Sequence, residues 1–230
     1  ALVTIGGKLP GEGNVICNYP AVDKAGVMLE QGAARVWGNR IGVTPAGLPM
    51  NCYHGVVIKN AGVLSIVGSE DPLAENAGAN VIGNSKLYGI FVSGAGAQQN
   101  RFRGNSIFNN GNGAMVLAGG ANGGVTPPLM GGAKGRLISG KQAQAFATID
   151  VYENPPNEKQ ARTWLGAGVA DSLGRFNVTV ADATNGYNVV VHQTTTGLNT
   201  SALSSNYPYN IVLVPVINFV SQAGGSITND

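Results

Sequence analysis

Charged side chains are scarce in this chain, at 11% of its 230 residues, and the 14 basic residues nearly balance the 12 acidic ones. Average soluble proteins carry about 25% charged residues, and nucleic-acid-binding domains concentrate basic ones on one face. The balance therefore excludes an electrostatic nucleic-acid binder. No apolar run approaches the roughly 18–20 residues of a membrane-spanning helix, so we expect no membrane-spanning segment.

Residues that support long helices are also in short supply. Glycine contributes 35 residues, about twice its average share of about 7%, and there are 24 asparagines. Both residues weaken helix interiors, and both accept the left-handed backbone conformations of tight turns. The hydrophobic content of 43% argues against a disordered chain. These proportions predict an all-β protein.

Cysteine and histidine are rare as well. The two cysteines, Cys17 and Cys52, are compatible with one disulfide or with two small apolar side chains, because sequence does not fix their separation. The two histidines, His54 and His192, lie far apart in the chain and lack the clustered spacing of metal ligands. We therefore expect no metal site and no cofactor site, and we assign no catalytic residue.

A repeat spans the first half of the chain. The segment 14–18, NVICN, returns at 80–84 as NVIGN, and the segment 35–41 returns at 101–107. Both pairs are 66 residues apart, and two segments that share one offset indicate a structural repeat. Each segment has alternating apolar positions between glycines or asparagines, which is typical of short strands joined by tight turns.

The offset equals three coils of about 22 residues in a parallel β-helix, where each strand pairs with the coils above and below. We expect about five such coils across residues 2–124, with loops at 42–52 and 68–78. Ile16 and Ile82 are then expected to point into one apolar column. Asparagines at the corners are expected to bond to the stacked backbone. The corner candidates are Asn18, Asn39, Asn84 and Asn105.

Three segments, 80–84 (NVIGN), 88–94 (YGIFVSG) and 100–107 (NRFRGNSI), resemble the right-handed parallel β-helix repeats of large bacterial surface proteins. The resemblance covers about residues 3–124 and implies a right-handed parallel β-helix. The same repeat class occurs in carbohydrate-binding proteins and sugar hydrolases. It therefore indicates a fold more closely than a function.

The pattern changes at residues 119–128, a glycine-rich and then proline-rich stretch that predicts a boundary. Longer alternating segments follow and predict an antiparallel β-sandwich of about 80 residues. The predicted strands are 145–152, 163–169, 175–180 and 186–192, with a tight turn at 171–174 and a closing strand at 194–203. The segments 149–154, 164–166 and 170–176 resemble bacterial immunoglobulin-like (Ig-like) modules that follow β-helices in secreted proteins.

These observations divide the chain into three parts. We expect a right-handed parallel β-helix at 1–128, an Ig-like β-sandwich at 129–208 and a C-terminal β-strand extension at 209–230. The extension is apolar but contains Pro215, which cannot donate a hydrogen bond in a central strand. Two interpretations remain for it: an edge strand that packs on this chain, or a strand that pairs with another copy or the next domain.

Few residues suggest chemistry. Three carboxylates, Glu70, Asp71 and Glu75, share one predicted loop, and sugar-cleaving enzymes need a positioned acid and base. Beside Arg101 and Arg103 this loop is compatible with an active site, and equally with an ordinary solvated loop. The two arginines alternate outward on one predicted strand, where they serve either to contact an acidic polysaccharide or to keep the surface soluble.

Aromatic side chains give a second weak signal. If they lie on one face they would form a platform for sugars, and otherwise they pack within loops. The candidates are Tyr19, Trp37, Tyr53 and Tyr88.

The leading functional hypothesis is a non-catalytic structural or adhesive building block, secreted or at the cell surface, or part of a self-associating assembly. Its expected partners are other copies of the chain or flanking domains of a longer chain, together with polysaccharide as a candidate ligand. Because residues 1–5 begin in mid-coil, a preceding coil or another subunit is expected to cover that end. The alternative is a polysaccharide-active enzyme (lyase, hydrolase or epimerase) or a carbohydrate-binding module on a β-helix.

Overall fold

The computed structural model describes residues 2–16, 21–70, 77–181 and 183–209, and these residues are mostly β-strand. Strands up to residue 118 pair in parallel, and strands from residue 129 pair antiparallel. We call residues 2–124 the parallel region and residues 125–209 the antiparallel region. The prediction of an all-β chain is confirmed.

Eleven strands lie in the described part of the parallel region, and a short 3-10 turn at Ala121–Gly124 follows them. The strands are β1 (Leu2–Gly6), β2 (Val15–Ile16), β3 (Ala25–Trp37), β4 (Arg40–Ile41), β5 (His54–Gly62), β6 (Ile66–Gly68), β7 (Val81–Gly83), β8 (Tyr88–Ser93), β9 (Arg101–Arg103), β10 (Ser106–Phe108) and β11 (Gly113–Ala118).

These strands form three parallel sheets. Sheet A contains β1, the second half of β3, β6 and β9, and sheet B contains β2, β4, β7 and β10. Sheet C contains the first half of β3, β5, β8 and β11. The chain therefore passes through A, B and C in the same order four times, which is a curled arrangement compatible with a β-helix-like fold.

The strand register corrects the expected coil length. Arg35 pairs with Ile66, which pairs with Arg101, so the steps in sheet A are 31 and 35 residues. In sheet B the corresponding steps are 25 and 41 residues. The 66-residue offset thus spans two coils rather than three, because the connecting loops vary in length. With four strands per sheet among the described residues, the estimate of about five coils was also too high.

An apolar column runs through the inside of the coils. Ile82 is 0% exposed in this core, and Ile16 packs against the same core from the first coil. Their expected meeting in one apolar column is confirmed. The same core includes Tyr152, Ala161 and Val190, all from the antiparallel region.

A ladder of asparagines lines one corner of the coils. Its members are Asn14, Asn39, Asn80 and Asn105. The backbone N–H and Nδ2 of Asn39 donate to Oδ1 of Asn80 at 2.9 and 3.1 Å, and Asn80 donates in the same way to Asn105 at 3.1 and 3.0 Å. The predicted ladder is confirmed for Asn39 and Asn105. It is wrong for Asn84, whose Nδ2 bonds to a backbone carbonyl of the neighbouring coil, and Asn18 lies outside the described residues.

The antiparallel region contains two sheets. Its described strands are β12 (Leu129–Lys134), β13 (Leu137–Lys141), β14 (Thr148–Asn154), β15 (Thr163–Val169), β16 (Phe176–Thr179), β17 (Asn188–Thr194) and β18 (Tyr207–Pro208). One sheet has the order β12-β13-β16, and the other has the order β15-β14-β17-β18.

Most of the predicted strands of this region are present, and the turn at 171–174 is closed by the Gly174 N–H, which donates to the Asp171 carbonyl at 3.0 Å. The closing strand expected at 194–203 is absent, because only an isolated bridge between Thr194 and Thr200 forms there. Strands β12 and β13 were not predicted, since their glycines hide the apolar alternation. The C-terminal extension from residue 210 onward lies outside the described residues.

The antiparallel region covers the last coil. Ile107 forms an antiparallel bridge with Ala161, and the Ala114 N–H donates to the Lys159 carbonyl at 3.1 Å. The Thr200 N–H donates to the Asn100 carbonyl at 3.2 Å. Backbone groups that the last coil would otherwise expose are therefore partnered within the chain.

Cys52 is fully buried and disulfide-bonded. The sequence contains one other cysteine, Cys17, which lies outside the described residues.

Candidate functional site

Sheet A carries a charged strip on its outer face. Val36 and Phe102 point into the core, so the residues beside them in the strand point outward. Arg35 and Arg101 therefore share the outer face, two strands apart in one register across Ile66. At the usual strand spacing their Cα atoms are about 9.6 Å apart.

Glu70 contacts two of the cations on this strip. Its Oε2 lies 2.7 Å from Lys8 Nζ, and its Oε1 lies 3.6 Å from the Arg35 guanidinium. The Lys8 hydrogen bond, with smaller contributions from nearby positive charges, lowers the pKa of Glu70 below its ordinary value. Near neutral pH the carboxylate is ionised and cannot act as a general acid.

Asp71 and Glu75, the other two carboxylates of the predicted acidic loop, lie outside the described residues. Of that loop, the structure therefore places only Glu70, and it places it against Lys8 and Arg35 rather than beside a second described carboxylate.

A groove of about 170 Å³ lies where sheet A meets the antiparallel region. Its lining includes Glu70, Arg101, Phe146, Thr194, Thr195 and Thr196. Within the described ranges, no carboxylate lies within ion-pair distance of the Arg101 guanidinium. Partial burial lowers the pKa of Arg101, but an arginine still remains protonated near neutral pH.

Arg103 was expected to point to solvent beside Arg101, and this was wrong. Its side chain is 3% exposed, and its Nε and Nη2 donate to Oδ2 and Oδ1 of Asp150, both at 2.6 Å. Asp150 is 1% exposed and also accepts from Trp164 Nε1 at 3.0 Å. The antiparallel region covers this part of β9, which the alternation of a single strand cannot indicate.

Two neutral side chains extend this buried network. Tyr152 Oη accepts the Gly104 N–H at 2.9 Å and lies 3.2 Å from His192 Nε2, which is itself 3.5 Å from Asp150 Oδ2. Burial lowers the pKa of His192 to about 4 and raises the pKa of Tyr152 well above its ordinary value. The charges of the network near neutral pH are therefore those of the Arg103–Asp150 pair.

Aromatic rings gather on the outer side of sheet C. The cluster consists of Tyr53, His54, Tyr88 and Phe91. The His54 ring centroid lies 5.2, 6.1 and 5.1 Å from those of Tyr53, Tyr88 and Phe91. Burial lowers the pKa of His54. These rings pack on one another, and we assign them no ligand.

The predicted aromatic platform is only partly present. Tyr53 and Tyr88 lie together, but Trp37 belongs to sheet A, and Tyr19 lies outside the described residues. The Trp37 ring is covered by cations, with Lys8 Nζ 4.4 Å and Arg35 Cζ 5.3 Å from its centroid. It therefore does not present an open face to a sugar.

Among the described residues, no group of three or more His, Cys, Asp and Glu side chains could hold a metal ion, and no helix is long and apolar enough to cross a membrane. No protein-family model matches the chain, and no curated protein is significantly similar to it. Function is therefore inferred from the residues of this chain.

Three residues of these sites, Asp150, Tyr152 and Phe146, belong to no sequence motif. Asp150 carried one usable signal, since it is a lone charge within the β-forming run 148–152. Nothing in the sequence marked Phe146, which is 58% exposed in the groove and has a φ of 59°.

Proposed function

We propose that the chain is a right-handed parallel β-helix followed by an Ig-like β-sandwich, as in bacterial surface and secreted proteins. The four passages through three parallel sheets, the asparagine ladder and the two antiparallel sheets support this fold. Parallel crossovers within one sheet are right-handed in nearly all proteins, which favours that hand.

On this fold we propose a non-catalytic structural or adhesive role, as a building block of a secreted or cell-surface protein. The observation that carries the proposal is the sealed junction between the two regions. The core of the coils includes Tyr152 and Val190 of the antiparallel region, and the buried Arg103–Asp150 pair joins the two regions. A large buried junction opposes hinge motion, so a rigid unit is expected.

The first coil supports a role in assembly. Within the described residues, β1, β2 and residues 25–29 of β3 each pair on one side only. Leu2 and Val3 are 51% and 53% exposed along this edge. Uncovered strand edges pair readily with other strands. We propose that another copy of the chain, or a flanking part of a longer chain, stacks on this edge.

The enzyme alternative has less support. Retaining and inverting glycosidases place two carboxyl groups about 5–9.5 Å apart, one of them protonated. In the described part of the chain, Glu70 is the only carboxylate that lines the groove, and its contacts with Lys8 and Arg35 favour its ionised form.

Incubation with uronate-rich and neutral polysaccharides tests the non-catalytic role. We expect no new reducing ends and no unsaturated products. Turnover that disappears in Glu70→Gln but persists in Glu158→Gln, a carboxylate paired with Arg162 elsewhere, would refute the proposal.

Light scattering over a range of protein concentrations tests the edge. If copies stack there, the mass rises with concentration, and a variant with Leu2→Lys and Val3→Lys remains monomeric because charges block edge pairing. A constant monomeric mass of the unmodified chain would contradict self-association.

A further inference from the structure

The groove at the junction holds an arginine that no described carboxylate neutralises. Arg101 and Arg103 both point outward from β9, but Arg103 is taken by Asp150. Arg35, in the same register as Arg101, is in contact with Glu70. The Arg101 guanidinium therefore remains available to an anion in the groove. Its planar fork of donors matches a carboxylate with two parallel hydrogen bonds.

The strip leading to the groove is cationic. Lys8, Arg35 and Arg101 share it with one described carboxylate, Glu70. Clefts lined mainly by one sign of charge concentrate ligands of the opposite sign. An elongated anion would therefore be held along sheet A as well as at Arg101.

An aromatic ring lies at the opposite wall of the groove. Phe146 is 58% exposed, an unusual position for a large apolar side chain, and its φ of 59° is unfavourable for a residue other than glycine. Strained residues of this kind occur preferentially at ligand sites. The exposed Thr196 and its neighbours Thr194 and Thr195 add hydroxyl groups to the same wall.

We propose that this groove binds an acidic saccharide. The carboxylate of a uronate residue pairs with Arg101, the apolar C–H face of a sugar ring packs on Phe146, and Thr196 bonds to sugar hydroxyls. A volume of about 170 Å³ is smaller than the roughly 300–1,000 Å³ of sites that enclose a drug-sized ligand. It suits one sugar residue of a chain that continues along the strip toward Arg35 and Lys8. Binding breaks no covalent bond, so the inference is independent of the structural role proposed above.

Calorimetric titration with a galacturonic acid trimer, and with a neutral galactose trimer of the same length, tests this site. The intact chain is expected to bind the acidic trimer and to lose affinity as salt rises. Arg101→Gln is expected to weaken binding at least about tenfold, Phe146→Ala severalfold, and Arg101→Lys to an intermediate degree because the charge remains without the fork. The matched control is Arg40→Gln, an outward arginine of sheet B, which should bind like the unmodified chain.

Urea unfolding of each variant checks that the fold is retained, and Arg101→Lys serves as the test if Arg101→Gln is unstable. The proposal is overturned if the acidic trimer does not bind, if the neutral trimer binds equally well, or if Arg101 and Arg40 variants lose the same affinity. A third titration with a sulfated galactose trimer identifies the anion: binding of the sulfated trimer alone would overturn the assignment to a carboxylate.

Discussion

Replacing Asp150 by asparagine removes the charge of the buried ion pair and keeps the shape of the side chain. Arg103, at 3% exposure, then keeps a buried charge without its counter-ion. Removing one partner of a buried pair typically costs about 3–5 kcal/mol. Trp164 Nε1 also loses a charged acceptor, worth about 1 kcal/mol. We expect the free energy of unfolding to fall by about 4 kcal/mol, a large part of the roughly 5–15 kcal/mol of a typical domain.

Urea unfolding followed by tryptophan fluorescence measures this loss, because each region has one tryptophan. Trp37 reports on the parallel region, and Trp164 reports on the antiparallel region. In Trp37→Phe and Trp164→Phe backgrounds the two transitions of the unmodified chain should coincide. With Asp150→Asn, the Trp164 transition should move to lower urea and separate from that of Trp37, since the junction no longer couples the regions.

Asp171→Asn is the matched control, because it removes the charge of the exposed Asp171–Arg175 pair, where side-chain exposures are 41% and 66%. Exposed pairs contribute about 0–1 kcal/mol, so this variant should unfold almost as the unmodified chain does. A double variant, Arg103→Met with Asp150→Leu, should recover most of the loss because no buried charge remains. Equal effects of Asp150→Asn and Asp171→Asn would refute the reasoning.

Three further predictions concern the ladder, the buried histidine and one corner. Asn80→Ala should lower the free energy of unfolding by roughly 3 kcal/mol in urea titrations, because it leaves the Asn39 N–H and the Val36 carbonyl without partners in the core; a loss below 1 kcal/mol would contradict this. His192 has a folded-state pKa of about 4, lowered from 6.5 by burial, so the unfolded chain binds the extra proton between these values. Its contribution is complete above pH 6.5 and is lost as the pH falls toward 4, by about 3 kcal/mol in total, and His192→Gln should flatten stability-against-pH curves in that window. Gly68→Ala should destabilise the fold much more than Gly47→Ala: both have positive φ, but only at Gly68 would a Cβ overlap a neighbouring carbonyl, and thermal unfolding that ranks the two equally would exclude this explanation.

The repeat predicted the parallel architecture because its physical cause is local. Apolar alternation places Ile82 inside, and Asn39 and Asn105 follow strands at the point where the chain turns. The coil length was not predictable from the same repeat. Loops of different length separate the strands, so a fixed offset of 66 residues is shared by steps of 31 and 35 in one sheet and of 25 and 41 in another.

Strand β14 shows why the junction was not predicted. Ile149 and Val151 lie in the core of the antiparallel region, whereas Tyr152 lies in the core of the coils and Asp150 bonds to Arg103. Both faces of the strand are thus buried, but against different partners. Alternation identifies two faces and does not tell which distant element covers each of them.

The same reasoning explains the two arginines of β9. Phe102 fixes both Arg101 and Arg103 on the outer face, so the strand by itself gives them equivalent positions. The antiparallel region covers Arg103 and supplies Asp150, whereas it reaches Arg101 only with the wall of the groove. One arginine consequently fastens the regions together and its neighbour faces the groove unpaired. Because the junction creates both environments, loosening it through Asp150→Asn should also weaken acidic-saccharide binding at Arg101, although Asp150 does not line the groove.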